Sequence, residues 1–517
     1  MKNSVIKIKA PKLTHRIKYE EILFFLVLIV GVGLSIIQFI YNRNIFYDEA
    51  YVSYRLVTRD FSELMKTSGD LVLPMLFLTI QKLLTLIIPY TELALKIFPF
   101  ASYFAALYFF IKLVKSIGLK QWVVVAAVAF FVFNLTTIRY ATEIKQYMTD
   151  VFVASALFFY TLKDYVDFKK KALILSIGGV IAIFLSHIAV IVLATSATIL
   201  LDRTHQEFKN LKYLLIIFAV WLSSFAINYF VFLNNAIAYD PAVKDWFMKQ
   251  CFMPVDIFSE AFSSFFVLQY NEIFKSYFKF GEVGFFVLPV LIILGVINLL
   301  IKRKYDLLLL FFVPLFIHLT ISAMQLYPIA NRLILYMMPG FIIMIVSGLQ
   351  FISELFKVQR HSISEIALMT IFPVFLLLSF PRSNYPFKIN NIKESMRYIG
   401  QNQVEGDTVI LYWRVTDIYR FYHATESDLA PLPYIFINHS YTKNVTGYNK
   451  KLKNQKGRKW LLHTNLTPNE HKDLKRQLKT MGAKILDEHV TWGSSAYLVQ
   501  FDDIYKIRPK TKRDALQ

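Results

Sequence analysis

Residues 22–41 read ILFFLVLIVGVGLSIIQFIY, and residues 42–51 continue NRNIFYDEAY. The first stretch carries no charge. As a helix, about 20 residues reach across the hydrocarbon core of a bilayer. Met1–Glu21, ahead of it, carries six Lys/Arg. The run has no small-residue cleavage site and exceeds a signal-peptide core, so it reads as a retained first membrane helix. A basic segment before the first helix places the N-terminus in the cytoplasm. The second stretch then emerges on the outer side, with two adjacent carboxylates, Asp48 and Glu49, only a few residues past the helix end.

Working outward, the composition agrees. Of 517 residues, 56% are apolar and 18% charged, and Phe alone numbers 48. Soluble proteins run nearer 45–50% apolar and about 25% charged. Mean hydropathy is +0.46. This excludes a disordered chain, a fibrous repeat and an ordinary soluble enzyme. The formal charge of +21 reads as basic loops that orient a membrane protein, with no nucleic-acid partner. The single cysteine, Cys251, excludes an intramolecular disulfide and a cysteine-based metal site.

Further apolar runs fall near 97–111, 122–138, 148–162, 172–186, 188–201, 211–233, 283–301, 306–323, 333–352 and 363–380. Basic connections are Lys112/Lys115/Lys120, Lys163 with Lys169–Lys171, Arg203/Lys209/Lys212, Lys302–Lys304 and Lys357/Arg360. Val72–Tyr90 is apolar but interrupted by Pro74, Gln81 and Lys82. If it lies along the outer surface, all five basic connections face the cytoplasm, so it reads as an interfacial or re-entrant helix. The count is then about 11 spanning helices in residues 1–380. The connections 42–96, 139–147, 187, 234–282 and 324–332 face outward, with everything after about Pro381. The setting is a multi-pass cytoplasmic (inner) membrane protein, in contact with membrane lipids.

Residues 381–517 contain no spanning run. Strand-like stretches are Thr408–Trp413, Tyr434–Ile437, Lys459–His463, Ala483–His489 and Ala496–Phe501. Asn391–Gln401 and Pro468–Met481 have helical spacing, the second opened by Thr467-Pro468 as cap and first position. Strands alternating with helices predict a small α/β domain on the outer side, followed by a basic tail at Lys506–Arg513. Asn134, Asn438, Asn444 and Asn465 match the short glycosylation acceptor pattern, which recurs by chance.

Three outward segments carry candidate chemistry. Asp48 and Glu49 sit where a lipid head group would lie, and low-dielectric surroundings raise a carboxyl pKa and make a better base. A solvated loop pair is the alternative. Tyr51–Met65 reads as an amphipathic helix on the membrane. The second segment, Ile138–Asp150, brings Arg139, Glu143, Lys145 and Tyr147. If it is helical, Glu143 and Tyr147 share a face, and interface anchoring is the alternative. The third, Tyr327–Arg332, offers Arg332, whose fork suits a phosphate or snorkels to head groups. Lys82 has the same two readings.

Together these residues resemble the GT-C superfamily of polyprenyl-phosphate-sugar glycosyltransferases. Within it they are similar to the family 39 group of protein O-mannosyltransferases and aminoarabinose transferases. The resemblance rests on the aromatic-Asp-Glu-Ala-Tyr stretch at Tyr47–Tyr51, Pro74, Glu92–Lys96, the Arg139–Tyr147 loop, Ser186-His187, and Asn331-Arg332 before a helix ending in Pro339. It implies that Asp48 is the catalytic base or acceptor-orienting carboxylate and that Glu49 assists. It places Glu143, Lys145, Tyr147, Arg139 and His187 along the cavity, and Arg332 and Lys82 on the lipid phosphate. It implies an inverting transfer to a glycan, lipid or protein acceptor of the cell envelope. Asp48 and Glu143 could hold a divalent cation, and metal-assisted and metal-free mechanisms are both open here. Two other classes compete. A lipid-oligosaccharide flippase or transporter would show repeated halves and mid-membrane charges. A polysaccharide polymerase or ligase would concentrate function in one large loop, for which 234–282 offers Asp240, Asp245, Asp256, Glu260 and Glu272.

Overall fold

The computed structural model describes residues 19–66, 73–88, 92–204, 208–233, 250–278, 280–330, 332–355, 361–380, 385–429, 432–437 and 445–501. The expected basic tail, Asn331, Asp240, Asp245, Asn438 and Asn444 lie outside them.

The chain is mostly helical, with one small sheet near its C-terminal end. Helix α1 (Tyr19–Tyr41) is followed by α2 (Tyr47–Thr58), α3 (Phe61–Lys66) and α4 (Met75–Ile87). Then come α5 (Glu92–Ser116), α6 (Gln121–Val132), α7 (Leu135–Ala141), α8 (Tyr147–Leu162), α9 (Phe168–Leu185), α10 (Ala189–Thr204) and α11 (Leu211–Asn228). The helical part closes with α12 (Glu260–Asn271), α13 (Gly281–Ile301), α14 (Tyr305–Ala323), α15 (Met338–Leu355) and α16 (His361–Leu378).

Every apolar run of the sequence is helical. Among the described residues, six helices are long and apolar enough to cross a membrane, or seven if α6 and α7 form one bent span. Helix α4 has 13 residues, about 20 Å of rise, and cannot cross a core of about 30 Å alone. The run 122–138 is not one straight helix. It bends by 55° between α6 and α7, because Asn134 opens a new helix there: its side-chain oxygen accepts from the Thr136 N–H at 2.8 Å. Asn134 is fully buried, so it is no accessible acceptor for a glycan. Tyr51–Met65 is likewise two helices, α2 and α3, broken at Arg59-Asp60. Pro339 stands in the first turn of α15, not at its end, where its missing N–H costs nothing.

The centre of the bundle is α6 and the first three turns of α15, both apolar all round and buried. Helices α13 and α15 meet backbone to backbone. A Cβ on Gly295 would lie 1.9 Å from the Met344 carbonyl oxygen, and one on Gly348 would lie 2.1 Å from that of Leu291. The Asn298 amide donates to the Ser347 carbonyl across the same seam at 2.9 Å. Small residues permit such approach where lipid supplies no hydrophobic drive between helices. Gly348→Leu is therefore expected to destabilise by at least the 1–3 kcal/mol typical of overpacking, about. Gly33→Leu, with nothing within 4 Å of its Cβ, is expected to be neutral. Thermal unfolding of the two in detergent checks this, and equal melting would refute it.

Beyond α16 the chain forms α17 (Ile392–Asn402), β1 (Thr408–Tyr412), α18 (Trp413–Thr425), β2 (Tyr434–Ile437), α19 (Val445–Lys453), β3 (Gly457–Thr464), α20 (Pro468–Thr480), β4 (Lys484–Thr491) and β5 (Ser494–Phe501). The sheet order is β2-β1-β3-β5-β4. Strand β1 runs parallel to β2 and β3, and β5 antiparallel to β3 and β4. All five expected strands are present. Thr467 caps α20 reciprocally with Glu470, as its sequence predicts. Helices α18 and α19 are additions to the sequence reading. Trp413 opens α18 instead of ending β1. The many aromatic and β-branched residues of α18 favour strands. Burial of Val415, Ile418, Tyr419 and Tyr422 at helical spacing overrides that preference.

Candidate active site

The link between α1 and α2 begins with Asn42 in the left-handed region, φ 45°, which turns the chain sharply off α1. Asp48 and Glu49 do not lie in a loop. They occupy the first turn of α2, where the positive end of the helix dipole favours them. Glu49 accepts from the Phe46 N–H at 2.9 Å, which holds the helix start. Its carboxylate is also gripped by both terminal nitrogens of Arg43, at 2.7 and 3.1 Å. Arg43 and Glu49 are 3% and 0% exposed, so the solvated-pair alternative fails for Glu49. Burial alone would raise the Glu49 carboxyl; Arg43, joined by Lys96 and the Ile144 N–H, holds it below the ordinary glutamate range.

Glu49 also reaches across to the second outward segment, accepting from the Ile144 N–H at 2.8 Å. That segment is helical only at its two ends: α7 stops at Ala141, α8 starts at Tyr147, and 142–146 between them are not helical. The expected shared face of Glu143 and Tyr147 therefore does not form. Tyr140 and Tyr147 meet instead edge to face across the turn, centroids 5.2 Å apart. Glu143 faces Arg139 at 3.4 Å and Arg43 at 3.9 Å. Burial, reinforced by nearby Glu49, raises its carboxyl above the usual range despite these arginines.

Asp48 is the accessible carboxylate, its side chain 29% exposed. Lys145 lies 3.0 Å from one oxygen and Arg332 3.5 Å from the other. Sequence reasoning expected a raised pKa. The direction is reversed: burial pushes it up, but Lys145 and Arg332 together hold it below the ordinary aspartate range. The two carboxylates Asp48 and Glu143 are thus pushed apart, the pattern that separates acid and base roles. Arg332 also stands over the Tyr147 ring, 5.9 Å from its centroid.

The structure thus brings together Asp48, Glu49, Arg139, Glu143, Lys145, Tyr147 and Arg332. It does not bring Lys82 or His187 to them. The Lys82 ammonium donates to the Leu56 and Arg59 carbonyls at 2.8 and 2.7 Å, capping the C-terminus of α2. His187 sits in the turn between α9 and α10, and burial depresses its pKa to about 4. Its ring nitrogens make no hydrogen bond among the described residues. Adjacent Ser186 donates to buried Asp150 at 2.6 Å. Sequence reasoning missed Arg43, although it stands in the quoted stretch. An arginine between two membrane-edge segments was the available signal.

Four cations, Arg43, Arg139, Lys145 and Arg332, pair with three carboxylates here. This donor set does not fit a divalent cation, because Asp48 and Glu143 each already face cations. Among the described residues no group of three His, Cys, Asp or Glu gathers as a metal site. Of the carboxylates offered for a polymerase, Asp256 and Glu260 are exposed on the surface.

No family model matches the sequence, and no curated protein matches it. Two solved structures are similar in overall shape. One is ArnT from Cupriavidus metallidurans in the apo state, at 10% identity, TM-score 0.48, covering 92% of this chain and 98% of that one. The other is the same protein bound to undecaprenyl phosphate, at 12% identity, TM-score 0.44, covering 92% and 97%.

Proposed function

We propose that the chain is a membrane glycosyltransferase that moves a sugar from a polyprenyl-phosphate donor to an acceptor hydroxyl on the extracytoplasmic side, within residues 1–380. The observation that carries this reading is the Asp48 carboxylate, partly exposed and held between Lys145 and Arg332. A base and phosphate-binding cations then share one mouth. Asp48 takes the proton of the acceptor hydroxyl as its oxygen bonds to the anomeric carbon. The bond from that carbon to the phosphate oxygen breaks, and the electron pair leaves with the polyprenyl phosphate. Arg332 and Lys145 balance the developing charge. As they turn from Asp48 to phosphate, the Asp48 pKa rises and its basicity improves. Displacement from one face inverts the anomeric centre. Glu49 and Arg43 hold the helix start. Lys82 acts through its cap on α2, and the GT-C family 39 resemblance supports the same reading of the motif order.

Purified protein incubated with polyprenyl-phosphate sugars, with membrane extract as acceptor, is expected to release free polyprenyl phosphate. No release with any donor would overturn the reading. Lys145→Met removes a cation that lowers the Asp48 pKa, so Asp48 protonates at higher pH. The acid limb of the rate–pH profile is expected to move upward in pH. An unmoved or downward-shifted limb would remove Asp48 from the base role.

A further inference from the structure

The segment after residue 381 is tied to the carboxylate pair through one buried side chain of the membrane part. Glu92, at the start of α5, is 2% exposed. It accepts from the Tyr422 hydroxyl, although the two residues stand 330 apart in the chain. It is also paired with Lys393 at 2.9 Å. Tyr422 is on α18 and Lys393 on α17, so both partners come from the C-terminal region. Both Glu92 and Tyr422 also hold the α1–α2 link. The Ile45 N–H points at the Glu92 carboxylate at 3.3 Å and at the Tyr422 hydroxyl oxygen at 3.0 Å. Two residues before Ile45 is Arg43, which grips Glu49; three residues after it is Asp48.

We propose that Tyr422 and Lys393 are positioning residues: Lys393 through Glu92, and Tyr422 both through Glu92 and directly at the Ile45 N–H, fix the backbone of residues 42–46, and so the placement of Asp48 and Glu49. The inference rests on the transferase reading above. Neither residue touches the Asp48 carboxylate. Their effect arises because a buried carboxylate must keep its donors, so Glu92 has one low-energy placement, and the link that leans on it has one as well. Packing points the same way. Arg55 of α2 pairs with Asp417 of α18 at 3.6 Å, and Arg414 of α18 stands over the Tyr47 ring, 5.3 Å from its centroid. The C-terminal region thereby completes the site.

The test uses the full-length protein in detergent. Tyr422→Phe removes one hydroxyl and keeps the ring. Deuterium uptake is expected to rise in peptides covering 42–50 and, through the Ile144–Glu49 bond, 140–147, while strands β3 and β5 keep their protection. Turnover is expected to fall about tenfold with donor KM unchanged, the size of a lost buried hydrogen bond. Lys393→Met should act in the same direction, and Lys393→Arg should restore turnover. Uptake in 42–50 equal to wild type would overturn the proposal, as would uptake rising equally in β3 and β5, or donor KM rising with turnover unchanged. Wild type that releases no polyprenyl phosphate would defeat the transferase reading alone, since the exchange measurement needs no substrate.

Discussion

Asp48→Asn is expected to abolish measurable transfer, lowering turnover at least about 10²-fold, while the protein melts as wild type does. The two halves of this expectation have separate causes. A positioned general base contributes about 10²–10⁴-fold, and an amide cannot accept the proton. The fold depends little on the charge. Asp48 is 29% exposed and its partners Lys145 and Arg332 are 9% and 33% exposed. Ion pairs reached by water are worth only about 0–1 kcal/mol. The isosteric amide keeps one oxygen for Lys145, at 3.0 Å from Asp48 in the wild type, and gives up only the longer 3.5 Å pairing with the more exposed Arg332. Polyprenyl phosphate release and thermal unfolding, measured on the same preparation, check the expectation. Turnover equal to wild type would move the base elsewhere, with Glu143 next, since burial already raises its carboxyl.

Arg43→Met and Glu49→Met are each expected to cost about 3–5 kcal/mol, because each leaves its partner buried and charged without its closest counter-ion. The pair is 1% and 0% exposed at the side chain, so water cannot take over the lost partner. The double variant Arg43→Met/Glu49→Met is expected to be more stable than either single variant, since it removes both charges at once. Thermal unfolding of all four proteins gives the cycle, and additive losses would refute the coupling. The pH dependence has a definite sign. The Glu49 pKa in the folded protein lies below its ordinary 4.5. Its contribution is therefore full above about 4.5 and is lost as pH falls through the lower folded value. The gap between wild type and Glu49→Met should narrow in that acid window.

Much of this molecule is legible along the chain. Each apolar run became a helix because a backbone in lipid has no other way to satisfy its polar groups. The five strands and the Thr467 cap followed from alternation and from local cap chemistry. What failed was local geometry decided by distant partners. Glu143 and Tyr147 would share a face only in a helix, yet Glu49 takes the Ile144 N–H and residues 142–146 stay outside the flanking helices. Lys82 looked like a phosphate ligand, but its ammonium meets two carbonyls at the end of α2. Helix α18 was hidden by residues that favour strands, and only burial against β1 and α2 made it a helix.

The sequence by itself determined the membrane class, the apolar helices and the five strands, and it offered most of the charged residues that gather around Asp48. Those properties come from hydropathy and short-range spacing, which each segment carries with it. Only the tertiary structure decided which charges face one another: that Asp48 is held low by Lys145 and Arg332, that Arg43 belongs to Glu49, and that Glu92 joins Tyr422 across 330 residues. A charge's behaviour depends on the ions within a few ångströms and on how much water remains between them. Chain order records neither.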